Sequence, residues 1–383
     1  MRIVRLVSDH AEFVMKFSIC IPNYNYANYL DKTMRSVLDQ TYADFEVVVS
    51  DNASTDASVQ VVETFGDPRI RVRINPCNVG FAGNLDRAAG MAEGDRLILL
   101  SSDDLIDKEA LAAYHKLSGL LPDGGAKAII SSGEYMIDAE GKATSCLGVY
   151  GAPFVLPEER VPELERELGA PVYRVKAGAL LKRSVLGMQN PFHFATTCYP
   201  RALYQLAGGY GGARLYNPDK WFHWRLLAVA EEAYYIDRPL FSYRWHTSNQ
   251  AAQEKRSGVL KFLTDEYLNS IELPNETLSA IGLSRADVEK AFVEQDIAQH
   301  GLAVLAKQSA SEARRILRFG QAVYPQHTSR NRKARLLKWA LPFGYASHQM
   351  ARMAYGLREK RVKPHAGPLP SDDAKFSVST SSN

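Results

Sequence analysis

"FSICIPNYNYANYLDKTMRSVLDQTYADFEVVVSDNASTD" (residues 17–56) decides the fold of this chain. It contains two short apolar runs, FSICIP (17–22) and FEVVVS (45–50), which are typical of β-strands. Between them, NYLDKTMRSVLDQ (28–40) spaces its apolar residues as an amphipathic helix does. A strand, a helix and a second strand in this order predict two parallel strands joined by a right-handed crossover.

The same alternation continues along the chain. Two more strands and two more helical patterns follow, namely IRVRI (70–74), RLILLS (96–101), STDASVQVVETF (54–65) and VGFAGNLDRAAGMA (79–92). Ser54 and Thr55 are the expected N-caps of the helix in the 54–65 segment. The strands at 45–50 and 96–101 are apolar enough to be buried on both faces, as in a parallel sheet. We therefore assign the chain to the α/β class.

Polar residues collect where these strands end. The four segments are PNYNY (22–26), SDNASTD (50–56), NPCNVGFAGN (75–84) and SSDD (101–104). Ligands of parallel α/β sheets bind beyond the carboxyl ends of the strands. Asp103 and Asp104 are adjacent, and their carboxylates repel each other unless a cation, hydrogen-bond donors or water offset the repulsion. One or two carboxylates together with substrate phosphates commonly hold Mg²⁺ or Mn²⁺, so the pair predicts such a site. The alternative is that both acids are solvated turn residues.

Composition restricts the class of protein. The 383-residue chain is 46% hydrophobic, and its four cysteines lie far apart without metal-ligand spacing, so we expect neither a zinc site nor a disulfide framework. No run approaches the about 20 apolar residues of a transmembrane helix. Asp9, His10 and Glu12 stand where a signal peptide needs apolar residues. We therefore expect a cytoplasmic protein.

Several nucleotide and hydrolase motifs are missing. The sequence has no GxxxxGK[ST] segment, so a P-loop ATPase or kinase is unsupported. GGYGGAR (208–214) lacks the third glycine and the preceding strand of a dinucleotide-binding fingerprint. The GxSxG motif of α/β-hydrolases is also absent.

The ordered motifs of residues 17–56 and of NVGFAGNLDRAAGMAEGDRLILLSSDDLID (78–107) resemble the family 2 inverting glycosyltransferases, which have the GT-A fold. The resemblance covers roughly residues 16–250. It implies a Rossmann-like nucleotide-diphospho-sugar transferase fold, and we expect a mainly helical C-terminal extension. It also implies Mn²⁺ or Mg²⁺ as cofactor.

The resemblance assigns a donor site. It implies that Asp51 accepts a hydrogen bond from the donor base and that Asp103 lies near the ribose and sugar. Asp104 would be the direct metal ligand, although Ser101 stands where family members often carry a further Asp. The other implied donor-binding residues are Pro22, Tyr24, Asn52, Asn78, Gly80 and Asn84.

Two later motifs complete the resemblance. NPDKWFHWR (217–225) resembles the family's acidic motif, with Asp219 as the implied general base and Arg225 six residues later in support. Pro218 replaces the Glu that many relatives carry, and Asp219 as a plain helix cap is the alternative. YRWHTSNQ (243–250) implies that His246 reaches the metal or the diphosphate. Tryptophans flank these positions and are interpreted as core residues, although one of them could stack on an acceptor sugar, and Trp245 is assigned a supporting role in the site. His193 and His223 are interpreted as polar loop residues.

Positive charge is concentrated near the C-terminus. Residues 314–363 contain thirteen Lys or Arg and one acid, Glu359. In residues 330–363 basic side chains alternate with apolar ones, which is typical of interfacial helices on an anionic membrane. A solvated basic face is the alternative. No recognition motif accompanies the charge, so we do not expect nucleic acid as a partner.

We predict a GT-A domain over residues 1–255, a helical basic region over 256–363 and a disordered tail over 364–383. The donor half of the domain would span about 16–108 and the acceptor half 109–255. The expected activity is metal-dependent transfer of a sugar from a nucleoside diphosphate sugar, most simply a UDP-sugar, to a glycan or lipid-linked acceptor in surface polysaccharide synthesis. It would take place in the cytoplasm or at the cytoplasmic face of the inner membrane. A sugar nucleotidyltransferase and a non-catalytic sugar-nucleotide-binding protein are the alternatives.

Overall fold

The structure is a computed structural model, and it describes residues 14–147, 155–211, 218–247, 258–307 and 309–343. The predicted tail over 364–383 and the basic residues after 343 lie outside this part of the chain.

Ten strands are present in the described residues and form one mixed sheet. They are β1 (Phe17–Asn23), β2 (Phe45–Asp51), β3 (Ile70–Ile74), β4 (Arg96–Leu99), β5 (Leu105–Ile106), β6 (Ala128–Ile137), β7 (Ala143–Leu147), β8 (Val172–Lys176), β9 (Cys198–Pro200) and β10 (Glu232–Arg244). Their order is β3-β2-β1-β4-β9-β6-β10-β5, with β7 beside β6 and β8 beside β10. The first four strands are parallel, as the sequence predicts.

Helices cover both faces of the sheet. They are α1 (Ala27–Leu38), α2 (Ser58–Glu63), α3 (Gly80–Gly90), α4 (Ala110–Leu120), α5 (Pro162–Leu168), α6 (Ala177–Gly187), α7 (Arg201–Leu206), α8 (Asp219–Val229), α9 (Val259–Glu272), α10 (Asn275–Ala280), α11 (Arg285–Phe292), α12 (His300–Lys307), α13 (Ala310–Val323), α14 (Pro325–Arg330) and α15 (Arg332–Ala340). A π-helical segment, Val293–Gln299, joins α11 to α12.

Alternation along the strands produces two hydrophobic cores. In β1, Phe17, Ile19 and Ile21 face one core, which contains α1 and α4, whereas Cys20 faces the other, which contains α3, α6 and α8. Side chains of a strand point to opposite faces in turn, so a strand with apolar residues at nearly every position is buried on both sides. The parallel strands therefore lie inside the molecule and expose only their ends.

Helices that follow residue 255 share a hydrophobic core with the α/β domain. Leu263 of α9, Phe292 of α11 and Ile316 of α13 pack in the same cluster as Leu181 of α6 and Trp224 of α8. The mainly helical C-terminal portion is confirmed, but its apolar faces continue the core of the α/β domain. A third, smaller cluster is formed by α12, α13 and α15.

The expected caps of α2 are wrong. The helix begins at Ser58 and its N-cap is Ala57, while Asp56 Oδ1 accepts a hydrogen bond from the Ser58 backbone at 3.0 Å. Ser54 Oγ instead accepts a hydrogen bond from the Asn25 backbone at 2.9 Å, and Asn25 Oδ1 accepts one from the Thr55 backbone at 2.7 Å. The loop that follows β2 therefore binds the loop that follows β1.

Candidate active site

The loop after β4 carries the paired acids and is fixed from two sides. Thr33 of α1 places its hydroxyl 3.0 Å from the Ser102 carbonyl oxygen and 2.9 Å from the Asp104 carbonyl oxygen. Arg244, at the end of β10, is fully buried and donates from Nε to the Asp103 carbonyl at 2.7 Å. The acidic loop is therefore held by residues that are distant in sequence, with separations of 69, 71 and 141 positions.

The two adjacent acids have different environments. Asp104 is 1% exposed, its Oδ1 accepts a hydrogen bond from the Arg244 backbone at 2.8 Å, and its buried Oδ2 has no hydrogen-bond partner among the described residues. Burial, and then the charge of Asp103, raises the pKa of Asp104 well above its usual range. Asp103 Oδ2 lies 2.8 Å from His246 Nε2. Of the two acids, Asp103 is therefore the one that pairs with His246.

The two carboxylates differ in their exposure to solvent. Asp103 is 7% exposed and Asp104 is 1% exposed, so the carboxylate of Asp103 is the more accessible of the two. A carboxylate and an imidazole are suitable donors for a divalent ion. No group of three or more His, Cys, Asp or Glu that could hold a metal occurs in the described residues. Two protein donors fit an ion that completes its coordination with phosphate oxygens and water.

Aromatic rings surround His246. Its ring centroid is 4.6 Å from that of Tyr29 and 5.9 Å from that of Tyr26. Burial, followed by the charges of Asp103 and Asp104, raises the pKa of the Tyr26 hydroxyl, which therefore stays neutral and can donate a hydrogen bond. The sequence interpretation missed both tyrosines, although they lie in the quoted NYNYANY stretch.

A network of buried amides joins the ends of β1, β2 and β3. Asp51 is 1% exposed and accepts from Asn23 Nδ2 at 2.8 Å and from the Ser54 backbone at 2.9 Å. Asn52 Nδ2 donates to Asn78 Oδ1 at 2.9 Å. Asn78 is exposed and also accepts from the Gly80 backbone at 2.8 Å. Gly80 has a φ of +78° at the start of α3, a conformation that favours glycine.

Asn84 lies behind this network, where it does not face solvent. It is 2% exposed, its amide nitrogen donates to the Ser50 carbonyl at 3.0 Å, and its Oδ1 accepts from Asn75 Nδ2 at 2.9 Å. Both ends of the side chain are therefore used inside the protein, and the geometry gives Asn84 a supporting position. Asn75 was missed by the sequence interpretation, although it belongs to the polar segment after β3.

The remaining candidates take varied positions. Pro22 is buried within β1, and Tyr24, the first residue after that strand, is 43% exposed. Arg225 donates to the carbonyls of Ala207 and Gly209 at 2.7 and 2.6 Å, so it holds the loop after α7. Trp245 is 39% exposed, whereas Trp224 is completely buried, as expected for a core residue.

Asp219 begins α8, with Pro218 as the N-cap. An acid in the first turn of a helix interacts favourably with the helix dipole. The neighbouring charge is His193, whose Nδ1 lies 2.7 Å from Oε2 of the buried Glu134. Burial by itself would lower the pKa of His193, but Glu134, and then Asp219, raise it above its ordinary value.

Glu134 connects the two ends of the candidate site. Its charge contributes to the raised pKa of Asp104, and it also pairs with His193, which interacts with Asp219. The acidic loop and the first turn of α8 therefore belong to one electrostatic neighbourhood. The sequence interpretation of His193 as a plain loop residue missed this pair, because Glu134 lies 59 positions earlier inside a strand.

His223 is not a loop residue. It lies in α8, is 1% exposed, and its Nδ1 is 2.6 Å from Asn190 Oδ1. Burial, and then the charge of His193, lowers the pKa of His223 to about 3. The ring is therefore neutral and belongs to the packing of α8.

Comparison with known proteins identifies the domain. The sequence profile described as glycosyl transferase family 2 matches residues 18–118, which include the strands β1 to β4 and the acidic loop. The chain carries a family 2 glycosyltransferase domain. Its fold is GT-A, with the parallel strands and the Asp103–Asp104 loop in the order that the sequence resemblance implies.

Similar proteins agree with this assignment. The glycosyltransferase domain is 33% identical over 112 residues to a hyaluronan synthase of Pasteurella multocida, a match that covers 29% of this chain and 11% of that protein. It is 36% identical over 102 residues to the poly(ribitol-phosphate) beta-N-acetylglucosaminyltransferase TarS of Staphylococcus aureus, covering 26% of this chain and 18% of that protein. The matches thus span less than a fifth of these two relatives.

The fold similarity extends further than the sequence similarity. The crystal structure of residues 1–349 of S. aureus TarS in complex with UDP-GlcNAc superimposes with a TM-score of 0.59 at 19% identity. The superposition covers 90% of this chain and 92% of that one. The likeness therefore includes most of the helical C-terminal portion of the fold.

Proposed function

We propose that the glycosyltransferase domain transfers a sugar from a UDP-sugar to an acceptor hydroxyl with inversion at the anomeric carbon. The observation that carries the proposal is the 2.8 Å contact between Asp103 and His246, because Asp103 lies in the loop after β4 that the family 2 profile match includes. The similarity to TarS, whose crystal structure contains UDP-GlcNAc, supports a uridine nucleotide.

The donor half would bind the nucleotide at the ends of β1 and β2. Asp51 has two hydrogen-bonded oxygens, and each keeps a lone pair for an N–H of the base. The exposed amide of Asn78 would contact the nucleotide from the side of α3. Because hydrogen bonds among Asn52, Asn75 and Asn84 hold the strand ends behind them, these groups are fixed before the donor binds, which lowers the entropy cost of binding.

Asp103 and His246 would hold a divalent ion, Mn²⁺ or Mg²⁺, beside the donor diphosphate. Such an ion supplies positive charge where negative charge develops on the leaving diphosphate, an effect worth several kcal/mol. Asp104 would contribute indirectly, because its hydrogen bond to the Arg244 backbone fixes the end of β10 that carries His246. Arg244 in turn binds the carbonyl of Asp103.

Asp219 would accept the proton of the acceptor hydroxyl. A positioned general base typically accelerates a reaction by about 10²- to 10⁴-fold. A negatively charged carboxylate is favoured at the start of α8 by the helix dipole and by the charge of His193 when that residue is protonated.

Activity against a panel of UDP-, GDP- and dTDP-sugars with Mn²⁺ tests the proposal. With the active donor, we expect Asp219→Asn to lower kcat by about 10²-fold or more and to leave UDP binding within about threefold. Asp31→Asn, at an exposed surface pair with Arg35, is the matched control and should keep wild-type activity. Full transfer by Asp219→Asn would remove this residue from the mechanism, and an inactive panel together with undetectable UDP binding would end the proposal.

We further propose that the helix α15 contacts an anionic membrane surface, where a glycan or lipid-linked acceptor would be presented. Leu336, Trp339 and Phe343 are each more than half exposed, and the rings of Trp339 and Phe343 are 5.0 Å apart. Arg335 and Lys338 are exposed beside them. Aromatic anchors with basic neighbours suit an interfacial helix, and each near-surface charge adds about 1 kcal/mol.

Liposome flotation tests this contact. We expect the full chain to float with vesicles that contain about a third anionic lipid, and Trp339→Ala with Phe343→Ala to reduce the floated fraction severalfold. Leu206→Ala, which removes a 70% exposed side chain from α7, is the control. Equal flotation of the double variant and wild type would assign the basic face to solvent. None of the described helices is both long and apolar enough to span a bilayer.

A further inference from the structure

A lysine next to the candidate base is buried at the junction with the helical portion. Lys220 follows Asp219 in the first turn of α8, and its side chain is 8% exposed. Its Nζ donates to the Met188 carbonyl at 3.0 Å and forms an ion pair with Glu266 of α9. Lys220 therefore joins three elements: α8, the end of α6 and α9.

Two further acids surround this ion pair. Asp265 of α9 and Asp296 of the π-helical segment are 8% and 7% exposed, and both interact electrostatically with Lys220. One lysine among three carboxylates leaves an excess of negative charge when all are ionised. Burial raises the pKa of Asp296 to about 7, so a proton on Asp296 relieves part of this excess.

Such a cluster is costly to bury. Removing two charges from water carries a penalty of several kcal/mol per ion, and an apolar pair of similar volume would often stabilise the fold equally well. The π-helical segment places Asp296 in the cluster, and π-helical turns inside helices are frequent at functional sites. Stability alone therefore gives a weak account of why the lysine adjoins Asp219.

We propose that Lys220 is a positioning residue for Asp219. Its bonds to the Met188 carbonyl and to Glu266 fix the first turn of α8, and with it the Asp219 carboxylate. Met188 itself ends α6 in a left-handed conformation with φ of 50°, so its carbonyl has a defined direction. This inference rests on the role of Asp219 in the proposed function. It makes α9 part of the apparatus that places the base.

The expected effect is on kcat and not on donor binding. A displacement of about 1 Å of a catalytic group can cost about 10²-fold in rate. We expect Lys220→Met to lower kcat by 10- to 100-fold, with the KM of the donor and the Kd of UDP unchanged within about threefold. Lys182→Met is the matched control, because Lys182 of α6 also reaches across to the helical portion, at the Gly282 carbonyl, but is only partly buried. It should keep wild-type kcat.

A double variant separates positioning from folding. Lys220→Met together with Glu266→Gln removes one positive and one negative charge, so the net charge of the cluster is unchanged and the carboxylate that forms the ion pair with Lys220 is gone. We expect the melting temperature to recover toward wild type in the double variant while kcat stays low. This variant also provides the measurement if Lys220→Met alone fails to fold.

Two results would overturn the inference: a kcat of Lys220→Met within twofold of wild type, or a double variant in which kcat recovers together with the melting temperature. A different result would refute the proposed function itself. If Asp219→Asn transfers sugar at the wild-type rate, the base assignment fails, whatever Lys220→Met does.

Discussion

Arg244 is the residue on which the acidic loop depends most, and Arg244→Met is the perturbation that tests this. The side chain is fully buried and donates three hydrogen bonds, to the carbonyls of Asp103 at 2.7 Å, of Asp138 at 3.1 Å and of Ala139 at 3.1 Å. Its guanidinium also lies 5.2 Å from the ring centroid of Tyr29. Methionine can replace the apolar stem but none of these bonds.

The magnitude follows from the acceptors left behind. A buried acceptor that loses its partner costs about 1–3 kcal/mol, and water can reach the half-buried Asp138 and Ala139 carbonyls more easily than that of Asp103. The substitution also removes the positive charge beside Asp103 and Asp104. We therefore expect Arg244→Met to lower the free energy of unfolding by about 3–5 kcal/mol, a large share of the about 5–15 kcal/mol typical of folded proteins.

Urea denaturation followed by far-UV circular dichroism measures this loss. Arg238→Met is the matched control, because Arg238 lies on the same strand, is 42% exposed and makes only a 3.8 Å ion pair with Asp107. It should change the free energy of unfolding by less than about 1 kcal/mol. Arg244→Lys should fall between the two, since one ammonium cannot reach all three carbonyls. Equal stability of Arg244→Met and Arg238→Met would refute the argument.

Two further predictions concern the acid pair and a buried histidine. Asp103→Asn should abolish the Mn²⁺-dependent gain in UDP affinity, whereas Asp104→Asn should keep most of it; calorimetric titration that gives the reverse order would return the ligand role to Asp104. His223 has a folded-state pKa of about 3, and the unfolded value is about 6.5, so the unfolded chain binds the extra proton and stability falls as the pH drops below 6.5. Between pH 7 and pH 5, the free energy of unfolding of His223→Gln in urea should fall by about 1–2 kcal/mol less than that of the wild type. Equal decreases in the two proteins would show that His223 does not titrate in this way.

The sequence predicts the donor half of the fold well, because its signals are local. Apolar runs of five or six residues with helical patterns between them predict β1 to β4 and their parallel order, and the structure confirms these elements. The resemblance to family 2 glycosyltransferases is likewise confirmed by the profile match over residues 18–118. Both conclusions rest on contiguous stretches in which pattern and fold agree.

The partners of individual side chains are not local, and sequence reasoning missed them. Glu134 and His193 lie in different elements, so nothing in the sequence near either residue announces the pair. Asp103 and Asp104 look equivalent in a run of letters. Only the register of β10 beside β5 and β6 decides which acid turns toward the Arg244 backbone and which toward His246.

The burial of polar groups explains why such sites escape local reasoning. A buried carboxylate or amide is stable only when donors from other elements satisfy it, so its position depends on the whole fold. Asn84 illustrates this dependence, because its bonds to Ser50 and Asn75 use up the amide that the family motif would offer to a donor. Residues that a motif assigns to a ligand can thus divide into those that touch it and those that support the contact. For this domain, the division predicts two different outcomes. Substitution of the exposed Asn78 should lower donor affinity and leave the fold stable, whereas substitution of the buried Asn84 should lower the stability of the fold.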